Sequence, residues 1–215
     1  MHRLRIRFGR REEVKFISHL DIIRLWHRAL RRADIELVFS EGFNPHPKIL
    51  IAAPLALGIT SEAELMDIYT NDFVSPNSFL TYVGRQLPPG IDIIQVYQIA
   101  NNLPSLQMQM RYAEYITKVK IVAKGESDIK KTIFTLLSKK ELTWQHKRDT
   151  GFKNYDLREL IDDIWLVNCT DSCSNIAMRL RCDSKGSGRP EQVIKALGFK
   201  QLVSIHRTKL ILEAS

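Results

Sequence analysis

The chain has 215 residues, enough for one large domain or two small ones. Its apolar fraction of 44% is ordinary for a globular protein, and no run of about 18 apolar residues exists to make a membrane-spanning helix. The formal charge of +8 is unevenly spread: residues 1–48 carry 11 Lys/Arg against 6 acids, residues 49–106 carry 1 against 5, and residues 107–215 carry 20 against 13. Two basic regions separated by an acidic one suit a polyanion such as RNA; a solvated basic surface is the plainer alternative.

The first segment, MHRLRIRFGRREE, alternates charge with apolar residues, so no secretory signal is expected and the chain is read as cytoplasmic. Leu4, Ile6 and Phe8 alternating with Arg3, Arg5 and Arg7 predict a strand with one buried and one basic face. Ser18 then opens a helix, with Asp21 suited to its positive end. Leu20, Ile23, Trp26, Leu30 and Ala33 recur at helical spacing and are expected to face a core. Arg24, Arg28, Arg31 and Arg32, with His27, fall on the other side as a cationic stripe. Asp34 breaks the pattern, Ile35 to Phe39 reads as extended, and a loop from Ser40 to Lys48 follows. Its prolines at Pro45 and Pro47 restrict the backbone on both sides of His46.

Lys48 to Leu55 and Glu62 to Thr70 read as a hairpin. Ser75 caps a helix with Pro76 at its first position, Pro88-Pro89-Gly90 stops it, and Ile91 to Ile99 is a strand. Strand, helix, strand, strand, helix, strand is the ferredoxin-like order. The stretch Asn101 to Met110 carries no charge, and 101–111 reads as a joint. Residues 112–215 repeat the plan: a strand from Tyr112, a helix capped by Ser127, strands at Leu142 to Arg148, Ile164 to Val167 and Ile176 to Cys182, a flexible polar loop Asp183 to Arg189, a helix from Pro190 and a last strand to Leu212. The predicted fold is α+β, two tandem ferredoxin-like (βαββαβ) units with antiparallel sheets, at 1–100 and 112–215. Side by side they would leave a cleft, an architecture shared with tandem pseudouridine synthases and repeat-cleaving RNA endonucleases; this is analogy of fold alone.

Three groups of residues carry chemistry. His19, Asp21 and His46 have the types of a metal or acid–base site. A structural loop is one alternative. The preferred one is a helix start and loop whose free N–H groups hold a phosphate or a flipped base. The Arg24, Arg28, Arg31 and Arg32 stripe matches phosphates along a strand, Arg being suited to bidentate contacts; an acidic protein partner would use it equally. In the second half His146, Lys147, Arg148, Lys153, Arg158, Lys185 and Arg189 form a basic set, with Trp144 and Tyr155 near it as stacking or core aromatics. The loop Lys185 to Arg189 is a candidate phosphate cover, although it lacks the Walker pattern. No nucleophile motif stands out, and Asp67 or Asp156 would be the acids of an enzyme. Cys169, Cys173 and Cys182 have neither zinc nor iron–sulfur spacing and are read as reduced thiols. No metal and no cofactor is expected of the chain itself.

The run SHLD, then R-A-L-R-R-A, S-x-G-F-N-P-H-P-K, A-x-P-L-x-x-G and S-x-x-E, dense between residues 16 and 67, resembles the radical SAM-linked family. R-x-L-I at Arg158 and R-P at Arg189-Pro190 extend the resemblance over the chain. It implies a bacterial protein of unsettled activity, standing beside or fused behind a cobalamin-binding radical SAM protein. The expected function is an RNA-binding accessory protein that presents ribosomal or transfer RNA to that enzyme. It would use Arg24, Arg28, Arg31, Arg32, Asn44, His46, Lys48, Arg148, Lys153, Arg158, Lys185 and Arg189. The alternatives are an RNA-acting enzyme using His19, Asp21 or His46, and a docking subunit without RNA contact.

Overall fold

A computed structural model describes residues 1–121, 125–148 and 151–213, without the side chains of residues 146–148, 152 and 153. The fold is mixed α+β, with antiparallel sheets and few helices, and divides into units 1–110 and 111–215. In the first, β1 (His2–Arg10), α1 (His19–Arg32), β2 (Ile49–Ile51), β3 (Thr60–Thr70), α2 (Pro76–Gly84) and β4 (Ile91–Ile99) follow in order. The strands lie in the order β2–β3–β1–β4, each pair antiparallel. A short helix, α3 (Leu106–Gln109), occupies part of the stretch read as a joint.

Leu4, Ile6 and Phe8 of β1 are fully buried, as their alternation requires, with Phe8 edge-on to Trp26 of α1 at 5.1 Å. Each such side chain contributes about 1.5–3 kcal/mol by leaving water. The opposite face of β1 is a correction: it is basic but not exposed. Arg3 and Arg5 are buried around Asp67 of β3. Arg3 donates from Nε (3.0 Å) and Nη2 (2.6 Å) to Oδ2, and Arg5 from Nε to Oδ1 (2.7 Å) and Nη2 to Oδ2 (3.0 Å). One carboxylate against two guanidiniums leaves a surplus positive charge. Carbonyls meet it: Arg3 also donates to Leu103 O and Pro104 O at 2.8 Å, and Arg5 to Gln109 Oε1 at 3.1 Å. The segment carrying α3 is thereby tied over the polar face. The same burial removes Asp67 as an open-cleft acid.

Helix α1 is capped by Ser18 and buries Ile22, Trp26, Ala29 and Leu30. Leu20, expected in the core, is 63% exposed. At 3.6 residues per turn it points about 120° away from Trp26. The helix ends in a Schellman motif: Asp34 N–H donates to Arg31 O (3.2 Å) and Ile35 N–H to Leu30 O (3.1 Å), with Asp34 at φ 54°. Leu37 and Phe39 then bridge to Thr70 and Pro47.

In the second unit β5 (Met110–Lys120), α4 (Glu126–Leu137), β8 (Ile161–Cys169), β9 (Cys173–Asp183), α5 (Pro190–Ala196) and β11 (Gln201–Leu212) give the strand order β8–β9–β5–β11. Between α4 and β8 lies a separate antiparallel hairpin, β6 (Thr143–Arg148) and β7 (Gly151–Asp156). Its second strand runs to Asp156, and a short helical turn follows at residues 158–160. Gly125, not Ser127, is the N-cap of α4. The flexible loop 183–189 is a tight hairpin instead, with β10 (Gly186–Ser187) paired to β9. A Cβ at Gly188 would meet Leu160 O and Leu180 Cβ at 2.9 Å, so close backbone approach requires glycine there.

Asp67→Ala strands two buried guanidiniums and is expected to cost about 3–5 kcal/mol in urea unfolding, or to prevent folding. Asp34→Gly relieves the left-handed conformation and is expected to add about 0.5–1 kcal/mol in the same measurement.

Candidate nucleic-acid interface

The described residues contain no cluster of three or more His, Cys, Asp or Glu able to hold a metal ion. His19, Asp21 and His46 therefore do not assemble as one centre. Asp21 is spent at the start of α1: it accepts from Ser18 Oγ (2.7 Å), its own N–H donates to Ser18 Oγ (3.2 Å), and it pairs with Arg24 at 3.0 Å. The Ser18 hydroxyl and then Arg24 hold its carboxyl below the usual range. One of the N–H groups that a phosphate would use at this helix start is thus already taken. His19 is half-buried beside Arg10 and Glu64. Burial, and then the Arg10 charge, push its pKa below the ordinary 6.5. Arg10 itself is buried and donates to Ile17 O at 2.8 Å, fixing the chain that leads into Ser18.

The arginine stripe is present and is not uniform. Arg24, Arg28 and Arg31 are exposed on the side of α1 opposite Trp26. Arg24 holds the solvent-exposed pair with Asp21, an interaction worth little in water. The side chains of Arg28 and Arg31 make no hydrogen bond or ion pair among the described residues. Arg32 is committed: Nη2 donates to Gln86 O at 2.6 Å and Nε to Gln86 Oε1 at 3.2 Å, closing the end of α2.

The loop 40–48 is closed at its base. Ser40 N–H donates to His46 O (2.8 Å) and His46 N–H to Ser40 Oγ (2.9 Å); Lys48 N–H donates to Val38 O (2.8 Å). Residues 41–46 stand in solvent, with Gly42 at φ 126° making the turn and Phe43 fully exposed beside Asn44. Lys48 is half-buried at the loop's foot. The loop meets the stripe through Phe39, whose ring lies edge-on to His27 of α1 at 6.3 Å. Between them is a surface pocket of about 370 Å³, lined by His27, Arg31, Ile35, Glu36, Leu37, Phe39 and Asn71. Sequence reading placed His27 and Arg31 on the stripe but missed the pocket. The alternation of Ile35, Leu37 and Phe39 was its one visible trace, and Asn71 comes from beyond β3.

In the second unit Arg158 is turned inward, donating to Ile161 O (2.6 Å) and Leu137 O (3.2 Å). Lys185 and Arg189 are exposed, but the loop between them does not offer its N–H groups. Lys185 N–H (2.7 Å) and Gly186 N–H (3.1 Å) already donate to Asp183 Oδ1, and Arg181 Nε donates to Oδ2 at 2.8 Å. Burial opposes ionisation of Asp183, yet these bonds hold its carboxyl below the ordinary range. Trp144 and Tyr155, paired across the hairpin, face α5: Lys195 sits 6.0 Å from the Trp144 ring, and the Tyr155 hydroxyl donates to Gln192 Oε1. The side chains of His146, Lys147, Arg148 and Lys153 lie outside the described residues. Cys169, Cys173 and Cys182 form no disulfide.

Because folding lowers the His19 pKa, the folded state binds fewer protons there, and stability is expected to fall as pH drops through 6.5 toward the lower folded value. His19→Gln should flatten that part of the profile in urea unfolding between pH 7.5 and 5, leaving the remainder unchanged.

No curated protein matches the chain. Two solved structures share its fold at very low identity. A chain from the crystal structure of a Cbf5–Nop10–Gar1 complex is 7% identical with a TM-score of 0.55, over 96% of this chain and 48% of that one. A chain from the archaeal box H/ACA sRNP Nop10–Cbf5 complex is 9% identical with a TM-score of 0.50, over 95% and 46%. The chain thus spans about half the length of these neighbours, and the likeness is one of fold. No helix among the described residues is long and apolar enough to cross a membrane. A family model for uncharacterized proteins conserved in bacteria, DUF2344, matches residues 3–190, and the chain belongs to that family.

Proposed function

We propose that the protein is an RNA-binding accessory factor built from two ferredoxin-like units. It holds a single-stranded region of ribosomal or transfer RNA and presents it to a cobalamin-binding radical SAM enzyme. The observation that carries the reading is the outer face of α1, where the Arg28 and Arg31 side chains are exposed with no partner among the described residues and Arg24 is held by a surface pair. Guanidiniums at successive turns of a helix, about 5.4 Å apart, suit consecutive phosphates. The projecting loop with Phe43, Asn44 and His46 lies beyond the C-terminal end of the stripe in the chain and serves recognition or docking. Repetition of one strand order in both units supports the ferredoxin-like description. A neighbour of the same fold from a box H/ACA sRNP complex agrees with this reading. The radical SAM partner rests on the sequence resemblance.

The stripe predicts a salt-dependent, sequence-tolerant affinity for single-stranded RNA. Arg24→Glu with Arg28→Glu is expected to lower that affinity at least ten-fold and to reduce the slope of log affinity against log salt by about 0.7 for each phosphate no longer neutralised. Fluorescence anisotropy with a labelled oligonucleotide at several salt concentrations measures both. Unchanged affinity and slope would refute the stripe. A radical SAM partner captured without any RNA affinity would mark the chain as a docking subunit instead.

A further inference from the structure

The pocket beside the stripe has the chemistry of a site for one unstacked nucleotide, and we propose that it takes a nucleoside monophosphate unit, the base on Phe39 and the phosphate at Arg31 and His27. This deepens the RNA reading and shares its arginine stripe.

Ile35, Leu37 and Phe39 alternate along one extended run and line the pocket together. That run is fixed in place. Val38 N–H donates to Tyr69 O at 2.8 Å, Asn71 N–H to Glu36 O at 3.0 Å, and Leu37 bridges to Thr70. The apolar floor is therefore held before any ligand arrives, which spares the ligand the cost of ordering it. Phe39 remains 47% exposed, a large apolar ring left at an opening and not used by the core. Aromatic rings so placed accept unstacked bases irrespective of sequence.

The polar groups are sorted by side. Helix α1 supplies Arg31 and His27, the first unpaired and suited to two-point contact with a phosphate. The extended run and the turn after β3 supply Glu36 and Asn71, a carboxylate acceptor and an amide carrying both donor and acceptor. A nucleotide has the same division: an anionic end, a flat apolar body and an edge of hydrogen-bonding groups. A volume of about 370 Å³ lies within the range of small-ligand sites. An apolar small molecule would leave Arg31, Glu36 and Asn71 without partners.

The test titrates the full chain with AMP, GMP, CMP and UMP, with inorganic phosphate, and with a single-stranded ten-nucleotide RNA. Calorimetry and backbone amide shifts are the readouts. Saturable binding of at least one mononucleotide is expected, tighter than phosphate alone, with shifts at residues 35–39 and 71. Phe39→Leu keeps an apolar floor and removes the ring; it should weaken mononucleotide and RNA binding about ten-fold. Phe134→Ala, on α4 of the second unit and 72% exposed, should leave mononucleotide binding unchanged. Phosphate binding as tightly as every nucleotide, or Phe39→Leu binding like the parent, overturns the proposal. RNA binding that ignores Phe39→Leu removes the pocket and keeps the stripe. Mononucleotide binding without RNA affinity keeps the pocket and removes the RNA reading, leaving a site for free nucleotides.

Discussion

The first unit depends on a single carboxylate. Asp67 lies opposite Arg5 across the β1–β3 ladder and accepts four hydrogen bonds from two guanidiniums. Ionic clusters of this kind are weak sources of net stability, because desolvation consumes most of the attraction. Their geometry is demanding, however. A one-residue slip of β1 against β3 would bring Leu4 and Ile6 to the polar face and drive arginines under the helices. The cluster and the apolar row on the other face therefore specify the same register from opposite sides. The surplus guanidinium charge also dictates what covers it: a segment able to present carbonyl and amide oxygens, which Leu103, Pro104 and Gln109 do.

The second unit places a related pair on its central strands with the charges exchanged. Glu114 of β5 faces Arg179 of β9 and accepts from it at 2.8 Å, with Asp162 of β8 at 3.4 Å. This group is partly exposed, so it needs no covering segment of its own. The two units thus keep one strand order while solving the polar face differently.

Element order was legible in the chain because it follows from local signals: alternation in β1, Ser18 and Ser75 as caps, Pro76 and Pro190 as helix starts. Burial of the basic face was not legible. Its cause lies 62 residues from Arg5, at Asp67, and in the uncharged stretch after residue 100, whose carbonyls have no sequence signature. Leu20 was misplaced because its spacing to Ile23 satisfies a helical pattern while its angle to Trp26 does not. The stripe was readable from α1 alone, but Arg32 had a distant acceptor in Gln86 that no local rule reveals. In the polar loop after β9, composition suggested freedom, whereas Asp183 uses its carboxylate to fix the turn. The pocket joins a helix, an extended run and a residue past β3, and such a meeting is a product of topology.

The reciprocal bonds between Ser40 and His46 separate the tip of the loop from everything that holds the unit upright. Glu41, Phe43 and Asn44 are exposed, so the sheet does not require their side chains, whereas Gly42 at φ 126° is needed to make the turn. Phe43 and Asn44, which belong to the run S-x-G-F-N-P-H-P-K, therefore answer to something other than the packing of this sheet, and what they meet lies outside the unit's own core.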